Sequence, residues 1–125
     1  VDDDVKRILY VMTHGVESPE RCATPFFLSA AAAAMENEVS IYFTMNGPTL
    51  LRKGTAEKMG PKGDRGQPLS FFIDQALDVG VNLYVCQPSL DLHDMTMGDL
   101  IDGVKMIGGA AFNNMATESD AVISF

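Results

Sequence analysis

Ile8-Leu9-Tyr10-Val11-Met12-Thr13 is a continuous apolar run that breaks at His14-Gly15. A strand with one wet face alternates apolar and polar side chains, so a run without alternation predicts a strand buried on both faces. Just beyond it, Ser18-Pro19 marks a helix start, with the hydroxyl as N-cap and proline at the first helical position. That helix is predicted to run to about Glu36. Working outward, strand and helix signals follow one another in turn. Val39 to Met45 reads as a second strand ending at Asn46-Gly47-Pro48, followed by a short helical piece near Thr49 to Lys53. Leu69, Phe72, Ile73, Ala76 and Leu77 keep helical spacing, and Gly80 stands just past that helix. Asn82-Leu83-Tyr84-Val85-Cys86 is a third strand. Thr96 and Asp99 have capping-box spacing at the start of a turn that reaches Asp102. Val104 to Ile107 is a short strand, Gly108-Gly109 is expected to let the helix Ala110 to Glu118 pack closely, and Ala121 to Phe125 is a last strand.

Strands that alternate with helices give an α/β fold, a mostly parallel sheet of about five strands covered on both faces. No linker, repeat or low-complexity tract divides the chain, so residues 1–125 read as one domain. The first helix is apolar almost all round, from Phe26-Phe27-Leu28 through five alanines to Met35. Such a helix is covered on more than one side. Either a neighbouring helix or a second subunit covers it, and a homo-oligomer is the expectation.

The apolar fraction, 46%, and the charged fraction, 21%, are those of a globular protein. Two cysteines cannot build a disulfide framework, which favours a reducing, cytoplasmic setting. The apolar stretch from Pro25 to Met35 is too short to span a bilayer, and Val1-Asp2-Asp3-Asp4 has no signal-peptide character. A net charge of −8 argues against direct nucleic-acid binding. Yet five of the nine basic residues, Arg52, Lys53, Lys58, Lys62 and Arg65, fall in a Gly- and Pro-rich stretch ending at Pro68. It reads as a flexible basic flap on an acidic body, suited to catching an anionic donor or a partner's acidic face.

Cys86 closes the third strand and precedes the apparent loop Gln87-Pro88-Ser89-Leu90-Asp91. The carboxyl edge of a parallel sheet is where such folds place their chemistry. A free cysteine there is either small core filler or a nucleophile. Three loops converge on that edge, carrying His14, Asn46, Cys86, Gln87 and His93, with Cys22 about one turn into the first helix. The cysteines and histidines lack the paired spacing of a zinc site. Neither Gly15 nor Gly108-Gly109 belongs to a nucleotide-binding glycine pattern.

Tyr10-Val11-Met12-Thr13-His14-Gly15, Ser18-Pro19-Glu20-Arg21, Phe43-Thr44-Met45-Asn46-Gly47 and above all Val85-Cys86-Gln87-Pro88-Ser89-Leu90-Asp91 resemble the DsrE-like family of the DsrE, DsrF and TusD sulfur-relay group. So does the tail from Leu100 to Ala110. The resemblance implies a three-layer α/β/α fold, cytoplasmic oligomers, and sulfur-donor and sulfur-acceptor proteins as partners. It also implies that Cys86 carries sulfane sulfur as a persulfide, with no cofactor and no metal. His14, Cys22, Asn46, Gln87 and His93 are then candidate accessories. The rival readings are a non-catalytic docking subunit of such a relay and a thiol-dependent enzyme of another type.

Overall fold

The computed structural model describes residues 5–125; the acidic Val1 to Asp4 segment lies outside them. Five strands form one all-parallel sheet: β1 (Arg7–Met12), β2 (Glu38–Phe43), β3 (Asn82–Val85), β4 (Val104–Met106) and β5 (Ala121–Ser124). Four helices flank it: α1 (Thr24–Ala34), α2 (Leu69–Asp78), α3 (Gln87–Leu92) and α4 (Gly109–Glu118). This is the α/β/α arrangement expected from the sequence.

The strand order, β4-β3-β2-β1-β5, decides the rest. From β1 to β4 the chain steps in one direction across the sheet. It then crosses back over three strands to place β5 beyond β1. Because parallel crossovers are right-handed, a reversal of direction moves the connecting helix to the opposite face. The packing follows that rule. One face carries Tyr10, Met12, Ile41, Phe43, Leu83 and Val85 together with Phe26 of α1, Ile73 of α2 and Leu90 of α3. The other carries Leu9, Tyr42 and Cys86, packed only against residues such as Ile107 and, from α4, Phe112, Met115 and Ala116. Three helices cover one face and a single helix crosses the other. The second face is therefore thinly covered, and space is left beside α4.

The crowded face holds the larger core. Phe26, Phe43, Leu50, Met12 and Ile41 are fully buried there, and the rings of Phe26 and Phe43 sit 5.6 Å apart. Each such side chain contributes about 1.5–3 kcal/mol through burial. Gly80 follows α2 with φ +89°, a conformation that favours glycine. The Thr96–Asp99 capping box forms, with Asp99 Oδ2 accepting from the Thr96 N–H at 2.8 Å.

Four expectations are corrected. The first helix does not begin at Ser18-Pro19: Pro19–Arg21 is a separate turn of 3₁₀ helix, and α1 starts at Thr24 with Pro25 in its first turn. Two prolines six residues apart each favour a first-turn position, and the chain uses both. The apparent loop after Cys86 is a helix, α3, with Cys86 as its N-cap and Pro88 near its start. Gly108 and Gly109 do not serve close packing, since a Cβ at either would meet no atom within 4 Å. Nor is the basic stretch a loose flap. Ala56 is buried in the core, the Leu69 N–H donates to the Met59 carbonyl at 2.7 Å, and the Ser70 N–H donates to the Ala56 carbonyl at 3.0 Å. Those contacts pin it at its middle.

Candidate functional site

Cys86 follows the last residue of β3, and strand alternation puts it with Tyr42 on the thinly covered face. The register brings its neighbours. Phe43 pairs with Val85 and Val85 with Met106, so the next residue on each chain, Thr44 and Ile107, stands beside Cys86. The short α3 then turns back so that Ser89, three residues on, lies under the sulfur. Ser89 Oγ is 2.8 Å from Cys86 Sγ and 3.2 Å from Thr44 Oγ1, and Thr44 Oγ1 is 3.5 Å from the sulfur. The Met45 N–H donates to Ser89 Oγ at 2.7 Å. That donation takes one of the two lone pairs of the serine oxygen, and the hydroxyl proton can be given to the sulfur when the sulfur bears the charge. Chains of this kind polarise one another in a partly dry site.

The consequence is electrostatic. Burial alone disfavours a charged thiolate, and Cys86 is only 8% exposed. Hydrogen bonds from the Ser89 and Thr44 hydroxyls, a smaller contribution from the Tyr42 hydroxyl, and the Ser89 backbone outweigh that penalty. The thiol is held below the ordinary cysteine range. Tyr42 responds in the opposite sense: burial first, then its hydrogen bond to Cys86 and the charge there, hold the phenol well above its usual range. The site favours one negative charge, and places it on sulfur.

The sulfur faces a cavity of about 810 Å³. Tyr42, Thr44, Cys86 and Ser89 contribute its polar end, while Met45, Pro88, Leu92, Met106 and Ile107 make an apolar surround. Met45 and Leu92 are 59% and 65% exposed at its rim. Gly108 and Gly109 complete the wall, and their missing side chains keep it open. Among the described residues no charged side chain lines it.

The other sequence candidates do not meet at the sulfur. Cys22 is fully buried in the core on the α1 face, across the sheet from Cys86, and burial pushes its thiol up to about 11. His14 pairs through Nδ1 with Thr13 Oγ1 at 3.2 Å. Glu17, beside it, accepts from the Gly15 N–H at 2.9 Å and hydrogen-bonds Asn46. His93 Nε2 lies 3.0 Å from the Met45 carbonyl, so it holds a wall residue of the cavity rather than the thiol. Gln87 lines the cavity but gives its amide to Asp91 at 2.7 Å. Local hydroxyls, not these candidates, are the hydrogen-bond partners of the sulfur. Among the described residues no group of three or more His, Cys, Asp or Glu side chains is arranged to hold a metal ion.

Ser89, Thr44 and Tyr42 are the residues that the sequence reading missed as partners of the sulfur. Ser89 was accessible in principle. A proline after a polar residue signals a helix start, and residues three apart share one helix face. Thr44 was not, because its place depends on strand register.

The DsrE/DsrF-like family matches residues 6–125, and the chain belongs to that family. Among curated relatives, the sulfur carrier protein DsrE2 of Allochromatium vinosum is 28% identical, over 92% of this chain and 95% of that protein. Two solved structures share the fold. The YchN protein of Escherichia coli superposes with a TM-score of 0.73 at 18% identity, covering 97% of this chain and 99% of that one. MTH1491 of Methanobacterium thermoautotrophicum, described as a protein of unknown function, gives 0.67 at 18% identity, covering 96% and 99%.

Proposed function

We propose that this protein is a sulfur carrier whose Cys86 accepts sulfane sulfur as a persulfide and passes it to a partner protein. The observation that carries the reading is the hydroxyl-stabilised Cys86 thiol at the polar end of an open, uncharged cavity. The similarity to a protein named as a sulfur carrier supports it.

The chemistry balances without a cofactor. The Cys86 thiolate attacks the outer sulfur of a donor persulfide; a new S–S bond forms, the donor's S–S bond breaks, and the donor leaves as a thiolate. Ser89 and Thr44 supply hydrogen bonds to whichever sulfur bears the charge. An acceptor thiolate then attacks the terminal sulfur and releases Cys86 as thiolate again. A cysteine hydrolase would need an imidazole beside the sulfur. Both histidines are engaged elsewhere.

Sulfur-donor and sulfur-acceptor proteins are the partners, and a reducing cytoplasm suits a thiol that must be regenerated. No described helix is long and apolar enough to cross a membrane. The decisive experiment is peptide mapping after incubation with a persulfide donor. A reductant-reversible gain of about 32 Da is expected on the peptide that holds Cys86. A gain confined to the Cys22 peptide would overturn the reading. Homo-oligomerisation is the companion proposal. Phe26 is buried within its own chain, but Phe27 is 59% exposed and Met35 is exposed beyond the end of α1. Sedimentation should show a species larger than a monomer at micromolar protein; a clean monomer would remove this part.

A further inference from the structure

A second cavity, of about 600 Å³, lies in the pinned basic segment and shares no lining residue with the cavity of Cys86. Arg52, Lys53 and Lys58 line it, against one carboxylate, Asp64. The body of the chain is acidic, at −8 overall, so carboxylates are plentiful. Even so, the ion pairs among the described residues are made by Arg7 and Arg21, and none by these three cations. Their backbone is fixed. Arg52 bridges Leu100, the Lys53 N–H donates to the Asp99 carbonyl at 2.9 Å, and the Lys58 N–H donates to the Thr55 carbonyl at 3.0 Å. The nearby Asp99 carboxylate accepts from Thr96, and its charge acts on Arg52 and Lys53 without a direct ion pair. Among the described residues these three cations make no direct ion pair and outnumber the carboxylates beside them, Asp64 and Asp99, so a net positive charge is left for an anion to relieve.

The rest of the lining narrows the anion. Val16, Pro19 and Met59 give the cavity an apolar part. Gly54 and Gly63, with φ of +85° and +65°, belong to its wall, and turns of this kind present backbone N–H groups to anions. A bare oxyanion needs neither the apolar part nor the volume, which falls in the range of small-molecule sites, about 300–1,000 Å³. A phosphate monoester carries roughly −1.5 to −2 at neutral pH, which suits three cations and one carboxylate. An acidic protein surface would instead engage the whole basic stretch, Lys62 and Arg65 included. Those two do not line the cavity.

We infer that this cavity binds a small organic phosphate, its phosphoryl group held by Arg52, Lys53 and Lys58 and its organic part resting on Val16, Pro19 and Met59. The test is an NMR titration of the full chain with AMP, with inorganic phosphate and adenosine as parallel arms. AMP should shift the amides of Gly54, Thr55, Lys58 and Gly60 saturably, about tenfold more tightly than inorganic phosphate, and adenosine should not. Lys53→Glu with Lys58→Glu should weaken AMP by about tenfold or more, while Lys62→Glu with Arg65→Glu stays within about twofold. Alkylation of Cys86 should be unchanged in both variants, which shows that they fold. No saturable shift at millimolar AMP overturns the inference, and so does equal affinity for inorganic phosphate. Equal loss in the two double variants also overturns it, since the contact would then be the open basic surface that an acidic partner protein would use.

Discussion

Cys86→Ser should abolish the persulfide mass gain entirely, and Ser89→Ala should slow its formation at neutral pH by about tenfold or more. The first effect follows from removal of the only thiol among the described residues that line the open cavity; Cys22→Ser should leave most of the gain, because Cys22 lies in the opposite core. The second follows from the 2.8 Å contact between Ser89 Oγ and Cys86 Sγ. A hydrogen bond to a charged group is worth about 1.5–3 kcal/mol, or roughly one to two units of pKa. The sign is fixed by which form the hydroxyl favours. Ser89 stabilises the thiolate, so its loss raises the thiol pKa, reduces the thiolate fraction near neutrality, and shifts the rate profile to higher pH. Ser89→Ala also strips the Met45 N–H of its acceptor, at a further cost of about 1–3 kcal/mol in stability. Iodoacetamide alkylation of Cys86 followed across pH separates the two effects. An unshifted profile in Ser89→Ala would show that the hydroxyl does not activate the sulfur.

Gly15→Ala should destabilise the fold by about 3 kcal/mol and lower the melting temperature by roughly 10 °C. Gly15 is buried where the loop after β1 meets the loop after β2, and an added Cβ would run into the Asn46 carbonyl oxygen and Thr49 Oγ1. Neither obstacle can swing away. The Asn46 carbonyl is main chain, and Thr49 Oγ1 is held by donation to it at 2.7 Å and by the Val16 N–H at 3.0 Å. Gly108→Ala and Gly109→Ala provide the contrast. Each Cβ would enter open space, so stability should change by less than about 1 kcal/mol, and Gly109→Ala adds a better helix former at the start of α4. Thermal unfolding of the three variants checks this. If Gly15→Ala melts with Gly109→Ala, the two loops are not packed as described.

Much of this protein was legible in its sequence because the relevant signals are local. The unbroken apolar run at Ile8–Thr13 specified a buried strand, Gly80 specified a helix end, Thr96 and Asp99 specified a capped turn, and Cys86 stood at a strand's carboxyl end. Each depends on period, dihedral preference or a spacing of a few residues. Tertiary structure decided what those signals could not reach. Strand order is set by pairing between distant segments, and it sent α4 alone across one face. Strand alternation put Cys86 on that face and the packing of the first helix put Cys22 on the other, while the lone crossing left a cavity beside Gly108 and Gly109. Thr44 reached Cys86 only through the register of β2 against β3. Sequence alone singled out Cys86 at the sheet's carboxyl edge. The long-range pairing added the Thr44 and Tyr42 hydroxyls to that of Ser89, and together they hold its thiol below the ordinary range.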